Sequence, residues 1–242
     1  MKHSRAIVAM VTGLALQSAA PAQKAPAQAP GSIDAYIERV VRLRDEVDAF
    51  AFDPKKLFGA REFGRNTVTI AYRGDEFGWP VFSMAVRRGC LAEEKMGPHC
   101  GTRRIARMVR APAPPNLERP RQRSWYLMQD MLRSNGPVRA AVDGAKLEWV
   151  EASLDDCPGA TAKFEEGRAT TWVAPDYFAS DPGMGTVVLH AANVEVTFDE
   201  SGRRSTYNGY VAEDSPAKWA VDLVEALDGC WRPASSVAPW RR

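Results

Sequence analysis

Cys90 and Cys100 bracket nine residues, and two stretches that read as strands, Val81–Arg88 and Thr102–Arg110, flank them in turn. Two cysteines at the mouth of one loop in an exported chain predict a disulfide, because oxidising compartments preserve such bonds. The segment from Phe77 to Arg110 is therefore expected to be a stapled β-hairpin, and the rest of the chain must be organised around it. Phe82, Met84 and Val86 are expected to face the core. On the second strand Ile105 and Val109 alternate with Ala106 and Met108. Side chains alternate across a strand, so Arg103 and Arg107 fall on one face and Arg104 and Arg110 on the other.

The N-terminus supplies the compartment. Lys2 and Arg5 precede an apolar run of eleven residues, Ala6–Leu16, followed by small residues. That run is too short to span a bilayer and has the proportions of a signal-peptide core, with cleavage expected near Ala22. An uncleaved anchor is the competing reading. Residues 1–22 are thus expected to be a signal peptide and 23–31 an Ala/Pro-rich leader. Residues 32–232 are expected to form the folded domain and 233–242 a tail. The mature protein is expected to be periplasmic or secreted.

Charge has to be counted on the mature chain. The full sequence has 32 Lys and Arg against 30 Asp and Glu, and removing Lys2 and Arg5 leaves 30 of each. The balance gives no nucleic-acid signal. It conceals an asymmetry: ten basic residues oppose three acids between Arg87 and Arg123, whereas twelve acids oppose three basic residues between Asp143 and Glu200. The plain reading is that the two segments neutralise each other in the fold. The sharper one is a basic surface for an anionic envelope component or acidic protein, with Arg87, Arg88, Arg103, Arg104, Arg107 and Arg110 as the binding set.

Periodicity and capping signals outline the remainder. Ser32–Phe50 reads as a helix capped by Ser32, with Ile33, Tyr36, Ile37, Val40, Val41 and Val47 on one face. Thr67–Tyr72 alternates as a strand. Four prolines between Ala111 and Arg121 exclude a helix or central strand and mark a candidate boundary between two lobes. Ser124–Ser134 reads as a helix with Trp125, Met128, Met131 and Leu132 inward. Lys146–Ala152 and Arg168–Ala174 read as strands, with Asp155–Gly159 as a turn. Thr186–Phe198 reads as an interrupted β-rich run, and Ser205–Ala212 as its return partner. Ser215-Pro216 opens a last helix that buries Trp219, Leu223 and Leu227 and stops at Gly229. The expected fold is α+β: an antiparallel sheet packed with N-terminal, middle and C-terminal helices, disulfide-stabilised, with two lobes as an option.

Four cysteines allow three pairings, and Cys90–Cys100 with Cys157–Cys230 is the favoured set. His99 beside Cys100 raises a metal site as an alternative, but the second short-spaced ligand pair that zinc sites use is missing, so neither metal nor cofactor is assigned. The mature chain has two histidines, His99 and His190, and no nucleophile elbow, zinc-protease motif, phosphate loop or dinucleotide fingerprint. Asp155-Asp156 and Glu165-Glu166 are adjacent carboxylates that read as solvated turns. No catalytic residue is assigned, and the reading leans away from an enzyme. The leading expectation is an exported bacterial envelope protein, binding or structural, with a basic hairpin for an anionic partner. The alternatives are a small hydrolase centred on His190 or a carboxylate, and an assembly protein with an apolar partner face. No apolar run is long enough for a membrane span, and the oligomeric state is left open.

Overall fold

The computed structural model describes residues 32–58, 67–74, 77–89, 103–113, 122–134, 136–170, 172, 192–200 and 203–242. The expected signal peptide and leader, the Cys90–Cys100 pair, His99, His190 and the proline run from 114 to 121 lie outside them.

Seven strands among the described residues form one antiparallel sheet: β1 (Thr67–Arg73), β2 (Pro80–Gly89), β3 (Arg103–Arg110), β4 (Glu148–Ser153), β5 (Asn193–Glu200), β6 (Arg203–Tyr210) and β7 (Arg232–Pro233). Their spatial order is β6-β5-β1-β2-β3-β4-β7. The β2–β3 hairpin runs in register from Phe82↔Arg110 to Gly89↔Arg103. It lies near the middle of the sheet, which explains the burial of both faces of β2 from Pro80 to Val86. A strand covered on both sides reads as a continuous apolar run, as Val81–Val86 largely does.

Each face carries its own core. On one, Ile70, Met84, Met108 and Val196 pack with Phe164, Trp219 and Leu223 from α5 (Ala160–Ala169) and α6 (Pro216–Ala226). On the other, Ala85 and Val109 pack against α1 (Ile33–Val47), α2 (Pro54–Leu57), α3 (Gln122–Arg133) and α4 (Val138–Gly144). Full burial of one such large apolar side chain contributes about 1.5–3 kcal/mol, so the two layers together dominate the folding energy.

Local chemistry sets the helix ends. Ser32 accepts from the Ala35 N–H at 3.2 Å, and Ser215 accepts from the Lys218 N–H at 3.1 Å with Pro216 in the first turn. Cys157 and Cys230 form a disulfide with a Cα–Cα distance of 6.0 Å, joining the turn after β4 to the segment after α6.

The packing departs from the sequence reading in four places. Arg168 and Ala169 end a helix rather than begin a strand; α5 is held against α6 by Gly167, where a Cβ would stand 2.0 Å from Trp219 Cε2. The expected tail is part of the core: Arg232–Pro233 pairs with β4, Trp149 Nε1 donates to Ser236 Oγ, and Trp240 is buried edge-on to Trp149. Trp125 points outward on α3 and Leu127 takes the inward position. On α1 the buried side is confined to its second half, at Val40 and Val47, leaving Ile33 and Tyr36 exposed.

Candidate functional site

The six arginines singled out by sequence lie on adjacent strands, and four of them face carboxylates from the acid-rich segment. Arg103 pairs with Asp156, and Arg104 with both Asp155 and Glu165. Arg107 pairs with Glu151, and Arg110 with Glu148. The register assigns Arg103 and Arg107 to one face and Arg104 and Arg110 to the other. Asp155 and Asp156 are therefore partners of a neighbouring strand, and Glu165 sits on a helix. Arg87 is half-buried on the Arg107 face, over Gly89.

Two of these pairs have distinct electrostatics. Glu151 is fully buried, with Arg107 Nε donating to it at 3.1 Å and Arg232 at 4.0 Å from its other oxygen. A carboxylate buried there needs its cations, so removing one partner of this group is costly. Glu148 accepts from Arg110 and lies 3.5 Å from Arg123. Burial pushes its carboxyl up, but the Arg110 bond and charge, the Arg123 charge and the Ala113 N–H together hold it below the ordinary value. Arg123 is shifted down from its ordinary value, first by burial and then by repulsion from Arg110.

Arg88 is different. It stands directly across the hairpin from Arg104, is exposed, and pairs with no carboxylate among the described residues. Like charges directly opposite each other in a sheet repel. Asp155 and Glu165 are matched by Arg104 and Arg168, which leaves the Arg88 charge unbalanced among the described residues at this end of the sheet. Arg203, at the start of β6 and in register with Glu200 of β5, is another exposed cation at the same end, since Phe198↔Ser205 and Val68↔Phe198 link that row to Val68↔Val86.

Beside it, α5 and the β5–β6 pair enclose a groove of about 530 Å³ lined by Gly167, Arg168, Thr170, Trp172, Phe198, Arg203 and Ser205. Its aromatic floor is braced from beneath. Trp219 donates Nε1–H to the Lys163 carbonyl at 2.7 Å and lies 5.3 Å from Phe198 and 6.3 Å from Trp172, centroid to centroid. Trp172 donates its own Nε1–H to the Gly167 carbonyl at 3.1 Å. Arg168 is anchored to Glu165 at 3.1 Å and lies over the Phe164 ring.

Sequence reasoning singled out none of the groove residues. By sequence Trp172 and Phe198 are ordinary strand positions, and the usable signal, a Gly facing a Trp across two helices, needs the fold to be seen. Among the described residues no group of three or more His, Cys, Asp or Glu side chains is placed to hold a metal ion. No described helix is long and apolar enough to cross a membrane. Comparison with family models, with characterised proteins and with solved structures finds no match, so the site has to be read from its own chemistry.

Proposed function

We propose that this chain is an exported, non-enzymatic protein of a bacterial envelope that binds an anionic partner at the Arg88 end of the sheet. The observation that carries the reading is the Arg88↔Arg104 cross-strand pair, of which only Arg104 is offset by carboxylates. An anion arriving at Arg88 balances a charge that no described carboxylate pairs, and a guanidinium receives carboxylate or phosphate through two parallel N–H groups. The remaining β3 arginines act as internal partners rather than as the contact set.

Arg88→Glu reverses the charge at this point and removes none of the existing acidic or basic partners of the β3 arginines. The oxidised protein is applied to envelope material rich in anionic phospholipid and polysaccharide, at about 50 mM and about 300 mM salt, conditions that differ strongly in screening. Retention is expected at low salt, with loss at the higher salt and in the variant. Equal retention in all cases overturns the reading.

A second reading, an assembly protein with an apolar partner face, is favoured by α1, where Ile33, Tyr36 and Ile37 are 78%, 49% and 39% exposed. Sedimentation of Ile33→Ser/Ile37→Ser beside the parent tests it: an assembly lost in the variant supports the reading, and identical monomers dismiss it.

A further inference from the structure

We propose that the groove between α5 and the β5–β6 pair binds a sugar ring carrying an anionic substituent. The inference deepens the anionic-partner reading and rests on it for the sign of the ligand's charge.

Three features define the ligand. The first is a pair of flat apolar surfaces, Trp172 and Phe198, both supported by the buried Trp219. Their support is set before any ligand arrives: Trp172 donates its indole N–H to the Gly167 carbonyl, and Phe198 packs on Trp219, whose own N–H is committed to the Lys163 carbonyl. A preorganised aromatic surface loses little conformational entropy on binding a flat partner. The second is charge. Arg168 comes from the end of α5 and Arg203 from the start of β6, so cations line the groove from two separate elements. Glu165 and the Phe164 ring fix the direction of Arg168. The third is the pair of hydroxyls, Thr170 and Ser205, also on the lining; Thr170 donates to the Glu166 carbonyl at 2.7 Å and keeps its oxygen as an acceptor. A purely apolar ligand would desolvate Arg203 and the Ser205 hydroxyl without offering either a partner, which is costly. A small inorganic anion would leave the aromatic surface unused. A pyranose has an apolar C–H face for the rings, hydroxyls for Thr170 and Ser205, and an acidic substituent for the arginines. A volume of about 530 Å³ lies within the usual range for such sites.

The acidic group can be a carboxylate or a phosphate, and the experiment separates the two. Titration calorimetry and tryptophan fluorescence would be run on the oxidised protein with an oligouronate, a hexose phosphate, a neutral hexose oligomer and a nucleoside monophosphate. The expected result is binding of the oligouronate or the hexose phosphate at least tenfold tighter than the neutral oligomer. Trp172→Ala and Arg203→Ala should each weaken that binding at least tenfold. Ser205→Trp, at an exposed lining position, should block it while leaving the circular dichroism unchanged. The inference is overturned by no binding, by equal binding of neutral and charged sugars, by tightest binding of the nucleotide, or by a folded Ser205→Trp protein that binds as the parent does. Envelope retention that falls in Arg88→Glu but persists in Ser205→Trp would keep the anionic-partner reading and dismiss the groove. Sugar binding blocked by Ser205→Trp, with retention indifferent to Arg88→Glu and to salt, would do the reverse.

Discussion

Arg104 on β3 and Arg168 on α5 hold the same ring and the same carboxylate: their guanidinium carbons lie 5.9 Å and 5.8 Å from the Phe164 centroid, and both side chains reach Glu165. The hairpin's charged end and the aromatic groove are thereby joined through two adjacent helical residues, Phe164 and Glu165. Glu165→Gln removes the charge that both arginines share. The site is partly exposed, so the expected loss is about 1 kcal/mol by urea denaturation. A double-mutant cycle between Glu165→Gln and Arg104→Ala should return a coupling of about 0.5–1 kcal/mol, and a coupling of zero would mean that the two residues act independently.

The Arg107–Glu151 pair calls for a larger effect of opposite logic. Glu151 is fully buried and Arg107 is 11% exposed. Arg107→Ala leaves the buried carboxylate facing Arg232, 4.0 Å away and 41% exposed. The expected cost is about 3–5 kcal/mol. Replacing both residues with apolar side chains of similar volume, Arg107→Met with Glu151→Leu, should cost less than either single change. Chemical denaturation of the three variants checks the ordering.

Gly167 is the point where α5 and α6 touch. Trp219 is nearly inaccessible and fixed by its bond to Lys163, so it cannot retreat from an added methyl group. Gly167→Ala, elsewhere a gain for a helix, is expected to cost about 2–3 kcal/mol through overpacking and to disturb the groove floor. Thermal melts give the stability, and Trp fluorescence reports the displaced indole.

Part of this architecture is legible from residue order alone. The alternation in β2 and β3 placed Arg103 with Arg107 and Arg104 with Arg110, because period-two geometry follows directly from sequence spacing. Ser32 and Ser215-Pro216 marked helix starts because capping is local chemistry. The α5 helix was not legible. Its buried residues are Ala160, Phe164 and Gly167, two of them too small to register as an apolar stripe, and Gly167 resembles a breaker until Trp219 is placed on it. The C-terminal segment has no period at all, yet Ala238 and Trp240 are buried, because Trp149 and Phe58 supply a surface from distant parts of the chain. Glu151 is, by sequence, one polar position within the Lys146–Ala152 stretch that reads as a strand. Its burial depends on Arg107, 44 residues away.

Two carboxylates predict opposite acid responses. The folded Glu148 carboxyl lies below its ordinary value, so it contributes stability that is present above the unfolded pKa and disappears as pH falls through the folded one. Asp48 is the reverse: burial, outweighing its pairing with Arg73, raises it above the ordinary value. Its ionisation therefore costs stability as pH rises from the unfolded to the folded pKa. Glu148→Gln should be less stable than the parent at neutral pH and converge on it in acid. Asp48→Asn should show a difference of the opposite slope. Urea midpoints measured from neutral pH down through the carboxylate range check both.

The Cys157–Cys230 disulfide spans 73 residues that include α5, β5, β6 and α6. Closing a loop of that length restricts the unfolded chain by an amount worth about 4 kcal/mol in the chain-entropy model. The two ends lie on one side of the sheet: Cys157 is packed with Leu154 and Ala160, and Cys230 packs against the same cluster after α6. Loss of the bond should therefore loosen the α5–α6 layer and its aromatic groove before it loosens the layer built from α1 and α3. Cys157→Ser/Cys230→Ser is expected to melt well below the parent. Hydrogen exchange under native conditions should rise first in α5 and α6 while β2 and β3 stay protected, since local openings follow contiguous packing units. Uniform acceleration across both layers would instead mean that the sheet and its two cores unfold as one unit.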